Sequence, residues 1–86
     1  MTDKNNFNET MLFKRDDDQE KNIREILTTV YKALDDKGYK PSGQIVGYLL
    51  SGDPTYITAH SGARKLIRTV DRDRILEELL EAYINE

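Results

Sequence analysis

From residue 23 onward the large apolar side chains stand three or four positions apart, and this spacing constrains the fold more than any other feature. Ile23, Ile26, Leu27, Val30, Tyr31 and Leu34 form the first such series, which winds into one stripe on an α-helix. Asp16-Asp17-Asp18 stands where negative charge favours a helix start. Gly38, after Asp35-Asp36-Lys37, suits the left-handed residue that ends one, so the predicted span is about 18–37. Pro41 suits a first helical turn, and Ile45, Val46, Leu49 and Leu50 predict a second, short helix. Gly43 and Gly47, four apart, would let another helix approach its backbone closely.

Ser51-Gly52-Asp53-Pro54 ends that helix, and Asp53 can cap a further turn through Thr55, Tyr56 and Ile57. Ser61 is the expected cap of a helix carrying Ala63, Leu66, Ile67 and Val70. Asp71 is the expected cap of the last helix, Asp71–Asn85, whose broad stripe is Ile75, Leu76, Leu79, Leu80, Tyr83 and Ile84. No alternation of period two persists after residue 17, and no internal repeat is present. The expected fold is therefore all-α, a compact bundle of about four to five short helices.

Residues 1–17 read as a flexible N-terminal regulatory tail, and 18–86 as a helical dimerising domain. The tail is polar and Asn-rich except for Phe7 and a short apolar island, Met11-Leu12-Phe13, followed by Lys14 and Arg15. That island is too short for a core helix and is expected to tuck onto the body. With 86 residues, 37% of them hydrophobic and 34% charged, a monomer would be marginal. Cysteine is absent, which removes disulfides and thiolate metal sites and fits a reducing cytoplasm. Self-association is then the main route to stability, and a homodimer is expected. The second and last helices carry the broadest apolar faces. Ile45, Tyr48, Leu49, Leu79, Leu80 and Tyr83 are accordingly the candidate interface residues.

No stretch approaches the roughly 18 apolar residues that span a bilayer, and the first residues lack a signal peptide's organisation. The expected location is the cytoplasm, without membrane insertion. His60 is the only histidine, so neither a histidine metal cage nor a Ser-His-Asp arrangement can form within one chain. It reads as a loop histidine near a helix start. The Asp16–Asp18 run lacks the spacing and glycine of a calcium loop, and no lysine follows a glycine-rich turn to hold phosphate. No enzyme, cofactor or metal is expected.

The positive charge concentrates in Arg64, Lys65, Arg68, Arg72 and Arg74. Arg64 and Arg68, four apart, share a helix face able to hold a phosphate by bidentate hydrogen bonds. The alternative is a solvated face paired with glutamates of the last helix. Tyr39, Tyr48 and Tyr56 flank the second helix as interface or core-edge residues alike. Thr10, in Asn8-Glu9-Thr10-Met11, is a candidate acceptor for a kinase, which needs an exposed, extended hydroxyl.

Several longer segments carry a resemblance to a known family. They are Glu9-Thr10-Met11-Leu12-Phe13, Gly38-Tyr39-Lys40-Pro41 and Gln44-Ile45-Val46-Gly47-Tyr48-Leu49-Leu50-Ser51-Gly52-Asp53-Pro54. Ala63-Arg64, Ile67-Arg68, and Asp73 with Ile75-Leu76-Glu77-Glu78-Leu79 extend the match. Together they resemble the IreB family over nearly the whole chain from about residue 7. The resemblance implies a cytoplasmic regulatory phosphoprotein of low-GC Gram-positive bacteria, helical and dimeric. It implies a substrate of a transmembrane Ser/Thr kinase and an opposing phosphatase, acting in envelope-stress responses and intrinsic cephalosporin resistance. The acceptor threonines of the family lie in the N-terminal segment, and Thr10 matches the one that follows an acidic residue. A second acceptor would lie three residues earlier, where this chain has Phe7; Thr2 is a weaker substitute.

The competing reading is a helix-turn-helix-like DNA-binding regulator, with residues 61–70 as recognition helix after a turn at 51–60. A net charge of −3, a pI near 5.1 and the glutamates of residues 75–86 count against nucleic acid as a partner.

Overall fold

The structure, a computed structural model, describes residues 22–85. Thr2, Phe7, Thr10, the Met11–Phe13 island, the Asp16–Asp18 run and the predicted start of the first helix lie outside the described residues. What is described is helical throughout, joined by turns and without a strand. Helix α1 runs through residues 22–36, α2 is Pro41–Ser51, α3 is Ala63–Ile67 and α4 is Arg72–Ile84. Short 3-10 turns at Pro54–Tyr56 and His60–Gly62 link α2 to α3.

The stripe on α1 packs as its spacing predicts. Ile23, Ile26, Val30 and Leu34 are buried, and so is Ala33 between them, while Tyr31 stands half-exposed at the edge. Gly38 ends the helix in a left-handed conformation at φ 82°. The Tyr39 N–H donates to the Leu34 carbonyl at 3.0 Å and the Gly38 N–H to the Asp35 carbonyl at 3.0 Å. These paired bonds make a Schellman ending, whose left-handed φ a residue with a Cβ adopts only under strain, while the space around Gly38 is open. The chain is thereby turned toward Pro41, which opens α2 as expected, after Lys40.

Helix α2 buries Ile45, Tyr48 and Leu49 against α1 residues, and Ile57, Ala63, Ile67 and Ile75 complete one hydrophobic core. Fully burying an aliphatic side chain of this size stabilises by roughly 1.5–3 kcal/mol. The core therefore needs residues from every helix, but α4 contributes only Ile75 to it.

Three expectations are corrected downstream of α2. The helix expected from Ser61 to Val70 shortens to five residues, Ala63–Ile67. Ser61 does not cap it: Ser61 sits at φ 55° inside the preceding turn, and Gly62 takes the position before the helix. The chain has to reverse here to bring Ala63 and Ile67 into the core, and that reversal uses two successive left-handed residues in place of a side-chain cap. Asp71 does stand before α4, yet its side chain makes no cap bond, and its carbonyl instead accepts from the Ile75 N–H at 3.2 Å. Asp53 does cap as expected. Its carboxylate accepts from the Thr55 N–H at 3.0 Å and from the Thr55 hydroxyl at 2.7 Å.

Candidate interaction surface

The last helix determines what this molecule presents to its surroundings. At about 100° per residue, Leu79, Tyr83, Leu76, Leu80 and Ile84 fall on one side of α4, over an arc of roughly 140°. Ile75, at one edge of that arc, is 0% exposed, whereas Leu80 is 61% and Tyr83 76% exposed. The stripe is too broad for one contact with a small core, so most of it remains open. Glu77 and Glu81 follow around the helix, and Arg74 holds Glu77 at 3.2 Å and Glu78 at 3.7 Å. These pairs draw the acidic side of α4 together and leave the apolar side unobstructed.

A single side chain fixes where α4 starts. Arg72 Nη1 donates to the Leu49 carbonyl at 3.1 Å, near the C-terminal end of α2, where carbonyls lack helical partners. The guanidinium rests over Gly52. A Cβ there would lie 2.8 Å from Arg72 Cζ, and Gly52 is also left-handed at φ 78°. Both facts demand glycine at this joint. Ser51 and Gln44 brace the same region. The Ser51 hydroxyl donates to the Gly47 carbonyl at 2.7 Å, and Gln44 Nε2 donates to the Tyr56 carbonyl at 2.9 Å.

The approach to Gly47 comes from a ring, not from another helix. A Cβ at Gly47 would meet the Tyr56 ring at 2.5 Å, while Gly43 has open space around it. The three tyrosines separate accordingly: Tyr48 is core, Tyr56 covers Gly47, and Tyr39 is half-exposed.

The basic residues are not gathered into one open cluster. Arg64 is partly buried, and its Nε donates to the Ile57 carbonyl at 2.8 Å. Arg74 is paired as described; Lys65 and Arg68 are exposed, and so is Arg72, whose guanidinium is engaged by the Leu49 carbonyl. Arg64 and Arg68 lie four apart across the end of α3, with Arg68 as the residue that closes the helix. Asp53 stands within the influence of Arg64. Its carboxyl is held below the usual carboxylate range, first by the Thr55 backbone N–H, then by the Thr55 hydroxyl, with Arg64 adding a smaller pull. A five-residue α3 with Ala63 and Ile67 turned inward offers little more than one turn to a DNA groove. His60 is an exposed turn residue whose N–H donates to the Thr58 hydroxyl at 3.1 Å. Among the described residues, no group of acidic or histidine side chains is placed to hold a metal ion, and no helix is long and apolar enough to cross a membrane.

Of the residues expected at an interface, the structure divides the set. Leu79, Leu80 and Tyr83 are exposed together on α4, but Ile45, Tyr48 and Leu49 are consumed by the chain's own core. The apolar residues that α2 offers outward are Val46 and Leu50. Both lie on the same spacing, and the sequence carries no mark telling one side of α2 from the other until Tyr56 and α1 take their places. Leu76 and Ile84 also belong to the open face. The width of the α4 stripe signals them. Arg72 had no such signal, because its partner is a backbone carbonyl 23 residues away.

A family model described as IreB regulatory phosphoprotein matches residues 8–85. The chain belongs to the IreB family. It is 57% identical over 79 residues to a UPF0297 protein of Acetivibrio thermocellus, covering 92% of this chain and 88% of that protein. It is 53% identical over 77 residues to a UPF0297 protein of Ruminiclostridium cellulolyticum, covering 90% and 88%. The IreB match includes the open face of α4, the Gly52–Arg72 joint and the segment that holds Thr10.

Proposed function

We propose that this chain is a cytoplasmic regulatory phosphoprotein that works by protein–protein association and not by catalysis, with Thr10 as its switch. The observation that carries this reading is the family match, which describes a regulatory phosphoprotein and extends through Glu9-Thr10-Met11. On this reading a transmembrane Ser/Thr kinase modifies Thr10 and a phosphatase restores it. The output is control of an envelope-stress response and intrinsic cephalosporin resistance. Phosphate adds roughly −1.5 to −2 charge and three acceptor oxygens. Placed at Thr10, near Asp16–Asp18, it alters how the N-terminal segment engages the rest of the molecule while leaving the helical core intact. The open face of α4, with Leu79, Leu80 and Tyr83, is the surface that associates, with a second copy or with a downstream protein. Arg64 and Arg68 are the residues on which a phosphate would otherwise settle.

The test is phosphorylation of the intact protein by its Ser/Thr kinase, read site by site by mass spectrometry. Thr10→Ala is expected to abolish most of the label and Thr2→Ala to leave it unchanged. A Thr10→Ala protein labelled to the same extent as the parent refutes the assignment.

A further inference from the structure

The uncovered face of α4 has a chemistry that narrows what fits it. It is apolar across Leu76, Leu79, Leu80, Tyr83 and Ile84, and Glu77 and Glu81 follow directly along one edge. Glu77 is bound by Arg74, and Glu81 accepts from Asn85 Nδ2 at 3.0 Å, yet a carboxylate has room for further donors. The complement of such a face is a short run of large apolar side chains ending in cations. This chain contains one: Met11-Leu12-Phe13 followed by Lys14-Arg15. The other place where paired cations adjoin apolar residues, Arg64-Lys65-Leu66-Ile67, is built into α3 with Ile67 buried.

Taken with the Thr10 reading on which its control half rests, this complementarity identifies an occupant. We infer that Met11, Leu12 and Phe13 seat on the α4 face of their own chain, with Lys14 and Arg15 toward Glu77 and Glu81, and that phosphate on Thr10 releases them. The acceptor immediately precedes the apolar run, at the end away from Lys14 and Arg15, so its phosphate sets a strongly hydrated charge of roughly −1.5 to −2 against the apolar face and disfavours the seating of Met11 and its neighbours. The N-terminal segment thus competes with any other partner for one face, and phosphorylation opens that face.

The absence of cysteine makes a direct test available, because Asn8→Cys gives a single attachment point for a nitroxide. In the full-length, uniformly 15N-labelled protein, paramagnetic broadening is expected to concentrate on the amides of residues 76–84. It is expected to be lost in Met11→Ser/Phe13→Ser, weakened in Lys14→Glu/Arg15→Glu, and lost again on Thr10 phosphorylation or in Thr10→Glu. Broadening of α4 that survives removal of the apolar pair overturns the proposal. So does equal broadening at high dilution when nitroxide and 15N reside on different molecules, since a second copy would then be the occupant. Broadening that shifts to residues 64–68 on phosphorylation overturns simple release in favour of redocking. Because Thr10→Glu carries the charge without a kinase, seating on α4 is judged separately from whether Thr10 is the acceptor.

Discussion

Gly47 and Tyr56 confront each other across the turn that closes α2, and the contact leaves no room for even one methyl group. A Cβ at Gly47 would come within 2.5 Å of the ring. Gly47→Ala is therefore expected to cost about 1–3 kcal/mol, the usual range for overpacking. Tyr56→Ala opens the space. In that background Gly47→Ala is expected to be neutral or to stabilise by up to about 1 kcal/mol, because alanine is the better helix former. Urea unfolding of the four proteins reads the cycle, and strictly additive losses would mean that the ring is not what excludes the methyl. The sequence shows both residues and their place near a helix end. It does not show that they meet, because a Gly-x-x-x-Gly spacing looks the same whether a helix, a ring or water lies against it.

Helices α1 and α4 carry nearly the same apolar spacing and meet different fates. On α1, Ile23, Ile26, Val30 and Leu34 are buried; on α4 the corresponding pattern leaves only Ile75 inside. Ile75→Ala is expected to cost about 2–5 kcal/mol, as cavity-forming core changes do. Leu80→Ala, on the open side, is expected to stay within about 0.5 kcal/mol of the parent. Chemical denaturation of the two variants at a concentration where the chain is monomeric checks this. A large loss from Leu80→Ala would place the α4 stripe in the chain's own core. Periodicity locates a helix and its apolar side, but it is silent on whether that side is covered. The same limit explains α3. Leu66 and Val70 keep the helical spacing, yet the chain needs Ala63 and Ile67 inside and α4 alongside, and the helix stops at Ile67.

At the scale of the whole molecule, the open α4 face and the marginal size of the chain point the same way. A protein of 86 residues without disulfides that leaves Leu79, Leu80 and Tyr83 uncovered gains stability by covering them. Light scattering over micromolar concentrations is expected to show self-association that Leu80→Asp/Tyr83→Asp abolishes and Met11→Ser/Phe13→Ser strengthens. A strictly monomeric parent would exclude a second copy from this face. Much of this was legible in the residues: the helical class, the C-terminal end of α1 and the start of α2, the Asp53 cap, and a family likeness spanning the chain. Those features are local or periodic, so a few neighbouring residues determine each one. What only the tertiary structure decided depends on distant partners. Ile45, Tyr48 and Leu49 turn inward while Val46 and Leu50 turn out. Arg72 reaches back to Leu49, and the last helix keeps one residue in the core and offers the rest. The three-and-four spacing of the apolar residues dictates that the helices have apolar sides; the three-dimensional fit of α4 against a core too small to cover it decides which of those sides remains for a partner.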